Sequence, residues 1–180
     1  MSNSLVDPRY LEVFSQWLRS LGEDAAAVGE VVATKGGNDD AARSLIAGVN
    51  YVFKSLDLIP DGIDDLGFMD DAFVLRVACA LAAASRPEIK EGAIERLTTD
   101  ARAVRDFLGE DYARLESYVL GLRKGGARGR TVDDIAGDAE TRTTFLGEIK
   151  EWSKGYTPPN FTRDPKTLVK LRAFLSAKLP

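Results

Sequence analysis

Residues 72–84 read A-F-V-L-R-V-A-C-A-L-A-A-A, with Arg76 as their only charge. No other feature constrains the fold as strongly. A helix that is apolar nearly all round has no face to give to water, so it is buried on several sides. The run is too short for a bilayer, which takes about 20 apolar residues. It predicts a buried central helix, roughly residues 70–84, in an all-α domain.

The rest of the chain supplies helices to surround it. Asp7 before Pro8 reads as an N-cap with proline at the first helical position. Leu11, Phe14, Leu18 and Leu21 follow as a stripe, with Gly22 as its expected stop. A weak alanine-rich helix is expected to run on to Thr34. Another starts near Asp39 or Asp40 and carries Leu45, Ile46, Val49, Val52, Phe53 and Leu56 on one side. It should end near Asp57, because Pro60 pushes Ile59 out of the helical region.

Beyond the central run, Ser85 or Arg86 with Pro87 is expected to open a helix striped by Ile94, Leu97, Ala101, Val104 and Leu108. Tyr112, Leu115, Val119 and Leu122 mark the next. Residues 125–130 read as a flexible basic loop. Thr131 and Asp134 have capping-box spacing, with Asp in place of Glu. Phe145, Leu146, Ile149 and Trp152 define a helix ending near Gly155. Residues 156–163 hold two prolines and are expected to be a non-helical connector. Asp164 and Pro165 open a last helix lined by Leu168, Leu171 and Leu175. No β-branched alternation reaches strand length. The expectation is one helical domain, residues 1–180, of about seven or eight helices.

Composition narrows the chemistry. The chain has 180 residues, 44% of them hydrophobic, enough for a real core. Its net charge of -4 carries no footprint for nucleic acid. That charge is uneven. Residues 1–109 hold 11 Lys+Arg against 18 Asp+Glu, while residues 110–180 hold 13 against 10. Histidine is absent, which excludes Ser-His-Asp and Cys-His catalysis and histidine metal ligands. Cys79, the only cysteine, allows no disulfide within the chain and is expected to be a buried, inert thiol. The first ten residues have neither a basic nor an apolar region of the kind a secretion signal needs, so a cytoplasmic location is expected.

Just before the apolar run, residues 55–71 read S-L-D-L-I-P-D-G-I-D-D-L-G-F-M-D-D and carry six aspartates. Two readings compete. In the first they are turn and cap residues: Asp57 closes a helix, Asp61 before Gly62 makes a turn, Asp70 is an N-cap and Asp71 meets the helix dipole. In the second, Asp57, Asp61, Asp70 and Asp71 hold a divalent cation such as Mg²⁺, Mn²⁺ or Ca²⁺, which prefer carboxylate and carbonyl oxygen. The spacing is not that of an EF-hand. Asp64 and Asp65, with Arg128 and Arg130 of the basic loop, are candidates for binding a partner.

The same stretch resembles the signature of the YkvA-like family, a bacterial domain of unknown function. The matching residues are Tyr51, Ser55, Asp57, Leu58, Ile59, Pro60, Asp61, Leu66, Gly67, Phe68, Asp70, Asp71, Val74 and Leu75. The resemblance covers residues 46–81 and implies a helix–turn–helix core. Leu56 stands where the family usually has proline, and Gly62, Asp64 and Asp65 make this turn more polar than is typical. The resemblance implies no activity.

No catalytic constellation stands out, and the charge is split between the two parts. The leading expectation is therefore a non-catalytic protein–protein binding or scaffold module with an unidentified protein partner, compatible with a homo-oligomer. The alternative is a cation-binding protein or metal-dependent enzyme using the aspartate turn. A second alternative is peripheral membrane attachment through the basic loop and the aromatics near Tyr156, with no transmembrane segment.

Overall fold

The computed structural model describes residues 7–54 and 57–180. Ser55 of the signature, Leu56 of the helix stripe and residues 1–6 of the expected signal-free start lie outside the described residues. Eight α-helices are present among the described residues: α1 (Arg9–Lys35), α2 (Asp40–Asn50), α3 (Met69–Ser85), α4 (Gly92–Leu108), α5 (Tyr112–Gly121), α6 (Val132–Gly137), α7 (Ala139–Gly155) and α8 (Pro165–Lys178). The only sheet among the described residues is a hairpin of β1 (Gly126–Ala127) and β2 (Arg130–Thr131). The chain is an all-α bundle, and no helix among the described residues is long and apolar enough to cross a membrane.

The apolar run is α3, and it lies at the centre. It packs most extensively between α2 and α4, with α1 and α5 closing further sides. Phe73 meets Phe14, Trp17 and Phe107 in edge-on contacts, so α1, α3 and α4 share one aromatic cluster. Cys79, further along α3, is fully buried, and burial pushes its thiol up to about 12.

Arg76, fully buried, has its charge matched from three sides. It donates to Ala72 O at 3.0 Å, to Asp24 of α1 at 3.3 Å and to Asp100 of α4 at 3.2 Å. Its guanidinium lies 4.1 Å from the Trp17 ring centroid. Asp24 also accepts from Arg96 at 2.7 Å and from Ser20 at 2.8 Å. Two arginines and two aspartates thus tie α1, α3 and α4 together.

Several boundaries differ from expectation. α1 runs through Gly22 to Lys35 without the expected break. Gly22 instead marks a close approach: a Cβ there would sit 3.1 Å from Ser153 O and 3.2 Å from the Tyr156 ring. α2 ends at Asn50 and tightens into a 3₁₀ turn over Tyr51–Phe53, short of Asp57. Pro87 opens only a 3₁₀ turn, and α4 starts at Gly92. The segment expected to be a flexible loop is a hairpin whose two turn residues, Arg128 and Gly129, both have positive φ. That is the backbone twist favoured by two-residue hairpins. The Thr131–Asp134 capping box forms, with both bonds made at 2.9 and 3.0 Å.

Candidate metal centre

Four of the six aspartates meet where the chain enters α3. The link from α2 folds through successive tight turns, with Ile63 N on Pro60 O, Gly67 N on Ile63 O and Met69 N on Leu66 O. Two non-glycine residues in it, Asp65 and Phe68, are left-handed at φ 67°. Such residues cost about 1–3 kcal/mol each and persist only where their surroundings hold them. Gly67 cannot carry a side chain, because a Cβ would drive into the backbone carbonyl of Asp61. That contact brings Asp61 close to the start of α3.

Asp57, Asp61 and Asp71 each present a carboxylate oxygen, and these atoms lie within 4.8 Å of one another. The three grade inward: Asp61 is exposed, Asp57 half-buried and Asp71 only 2% exposed. Asp70 stands beside them at 1% exposure. Its Oδ2 accepts from the Tyr51 hydroxyl at 2.7 Å and from Ile59 N at 3.1 Å, and Leu58 N donates to the same hydroxyl at 2.8 Å. Asp70 therefore pins the link to α3 and does not cap the helix as expected. The N-cap position is Phe68, with no side-chain bond, and Asp70 and Asp71 occupy the first turn. There the helix dipole favours their charge.

Four carboxylates in so little space are short of positive charge. Asp57 Oδ1, Asp70 Oδ1 and Asp71 Oδ2 are buried with no hydrogen-bond partner among the described residues. A buried polar atom left unpartnered costs about 1–3 kcal/mol, more when charged. The acidities carry the same strain. Burial, then the charges of Asp70 and Asp61, push Asp57 up to about 7, against a smaller pull from Lys54. Burial raises Asp70 to about 6, although the Tyr51 and Ile59 bonds hold it down in part. Asp71 is raised well above the usual carboxylate range by burial and then by the charges of Asp70, Asp57 and Asp61. Asp61 is raised by burial. A cation among these oxygens relieves both the desolvation and the mutual repulsion.

The donor set is all oxygen, which suits Mg²⁺, Mn²⁺ or Ca²⁺. Asp57, Asp61 and Asp71 each offer a ligand oxygen, and Asp70 lies beside them with its Oδ2 already bonded to Tyr51 and Ile59. The exposed Asp61 gives the way in. Tyr118 of α5 stands edge-on to Tyr51 at 6.3 Å and closes another side.

The residues expected to meet a partner are engaged within the chain, except Asp64. Asp65 Oδ1 accepts from Thr162 N at 3.0 Å and from Thr162 Oγ1 at 2.5 Å. Arg128 and Arg130 both donate to Glu148 at 2.8–2.9 Å, and the Arg128 guanidinium lies 3.7 Å from the Phe53 ring centroid. Asp64 is exposed, and its backbone carbonyl accepts from Lys170 at 3.5 Å.

The supporting roles of Tyr51, Gly67 and the Ile59 amide were not assigned from sequence. One signal was present: Tyr51 brings a hydroxyl to the apolar end of α2, and a buried tyrosine hydroxyl usually needs a partner. No family model, curated protein or solved structure matches this chain, so the YkvA-like resemblance rests on the signature residues alone.

Proposed function

We propose that the protein binds one divalent cation through Asp57, Asp61 and Asp71, with Asp70 and Tyr51 as supports. The observation that carries this reading is the meeting of three carboxylate oxygens within 4.8 Å around Asp71, which is buried and has an oxygen that meets no donor. Capping does not account for that arrangement, since no first-turn aspartate of α3 caps it. The four carboxylates crowd together with no cationic side chain paired to them among the described residues, so the ligand this site favours is a cation. The protein-partner reading has weaker support, because Asp65, Arg128 and Arg130 already have partners within the chain.

Calorimetric titration of chelator-stripped protein with Mn²⁺, Mg²⁺ and Ca²⁺ tests the proposal. We expect saturable 1:1 binding of at least one ion, weakened about tenfold or more in Asp61→Asn and in Asp71→Asn. Absence of saturable heat with all three ions at millimolar concentration would reject it.

A further inference from the structure

After α7 the chain does not leave the site. Ser153 Oγ donates to Gly22 O at 2.7 Å, and the Tyr156 hydroxyl donates to Leu18 O at 2.6 Å, which fixes this turn of the chain on α1. The Tyr156 ring then meets Phe68 edge-on at 5.5 Å. Six residues later Thr162 gives both its amide and its hydroxyl to Asp65. Lys170 of α8 reaches the Asp64 carbonyl. Asp65 and Phe68 are the two left-handed residues of the link into α3. The segment from Tyr156 to Thr162 thus grips that link at its two strained points.

The cation site uses the same piece of chain. Asp61 precedes these two residues and Asp71 follows them, so an ion joining Asp61 to Asp71 holds the ends of the stretch whose middle the C-terminal segment holds. The C-terminal contacts and the approach of Asp61 to Asp71 occur in one and the same conformation of residues 61–71. Two ligands that select one conformation bind with positive coupling, and the coupling is equal in both directions.

We propose that the segment from Tyr156 to Thr162 is the built-in regulatory partner of the cation site: cation binding tightens its docking, and its docking tightens the cation. This rests on the cation reading above. The consequence is a cation-dependent hold on the C-terminal part of the chain, including α8, whose Leu168, Leu171 and Leu175 are buried in the bundle.

Hydrogen exchange of the full chain, read by mass spectrometry with chelator and with saturating Mg²⁺ or Ca²⁺, tests the coupling. Peptides covering residues 156–163 should exchange about fivefold or more slowly with the ion, the Thr162 amide among them. In parallel, the charge-neutral pair Thr162→Val and Tyr156→Phe should weaken Mn²⁺ binding by about threefold to tenfold in calorimetry, with the helical circular dichroism signal kept. One-to-one Mn²⁺ binding together with unchanged exchange at 156–163 would overturn the coupling and leave the cation site standing. No saturable Mn²⁺ binding would overturn both. The exchange arm uses wild-type protein, so a poorly folded variant cannot decide the matter.

Discussion

Helix α3 carries two buried charged centres with opposite solutions. At Arg76 two arginines face two aspartates, and Arg76 and Asp24 are each bonded on several sides. One turn or so earlier, Asp57, Asp61, Asp70 and Asp71 gather with no ion pair to any of them among the described residues. Taking a charge out of water costs several kcal/mol, and only good geometry with an opposite charge repays it. The first centre is complete within the chain. On the proposed reading a cation would complete the second. The same helix would then separate a structural use of buried charge from a binding use.

The sharpest way to break this comparison is Arg76→Met. It leaves Asp100 without its partner and takes one of the two arginines from Asp24, in the middle of the bundle. Breaking a buried pair from one side costs about 3–5 kcal/mol. For a chain of this size that is a Tm loss of roughly 6–20 °C, readable by thermal melt. A Tm within a degree of wild type would mean that the Arg76 centre is not what joins α1, α3 and α4.

The aspartate centre should respond in the other direction. An ion at about 100 times its Kd adds ~2.7 kcal/mol, and so a Tm rise of about 5–10 °C. Arg76→Met should keep this rise, since it leaves all four carboxylates in place. A smaller effect separates the two readings of the aspartates. Asp71→Asn removes a carboxyl group that must be either buried as an ion or protonated on folding, so in chelator it should raise stability by about 1–2 kcal/mol while abolishing the ion-induced rise. If Asp71 served only the helix N-terminus, the same substitution would lower stability by a few tenths to about 1 kcal/mol.

How much of this was readable in the sequence differs by level. The central helix was legible because an apolar run needs no tertiary information to be called buried. Its single charge also implied partners, but not which ones: Asp24 and Asp100 lie 52 and 24 residues away and have no local pattern. The four clustered aspartates were legible as residues, because carboxylate density is a local property. Their convergence was not. It depends on Gly67 yielding to the Asp61 carbonyl and on two left-handed residues that propensity disfavours. Gly22 misled for a related reason: a glycine demanded by a neighbouring helix looks the same in sequence as one that ends its own.

The mildest test of the comparison is pH, and its sign follows from the raised acidities. Asp57 at about 7 and Asp70 at about 6 hold protons in the folded chain that the unfolded chain has already lost near 3.8. A raised carboxylate contributes stability that is full below the unfolded value and lost as pH rises through the folded one. The ion-free protein should therefore melt lower at pH 8 than at pH 5. Asp57 is half-buried and partly screened by water, so we expect a difference of only about 1 kcal/mol. The acids lowered by hydrogen bonds, such as Asp65, Asp134 and Glu148, act in the opposite sense but titrate below this window. Saturating Mg²⁺ or Mn²⁺ should reverse the slope, because the ion binds the deprotonated carboxylates and competes with their protons. Melts between pH 5 and 8, with chelator and with ion, read both slopes. A metal-free Tm that rises toward pH 8 would mean that these carboxylates are compensated within the chain after all, and that the aspartate centre resembles the Arg76 centre instead of opposing it.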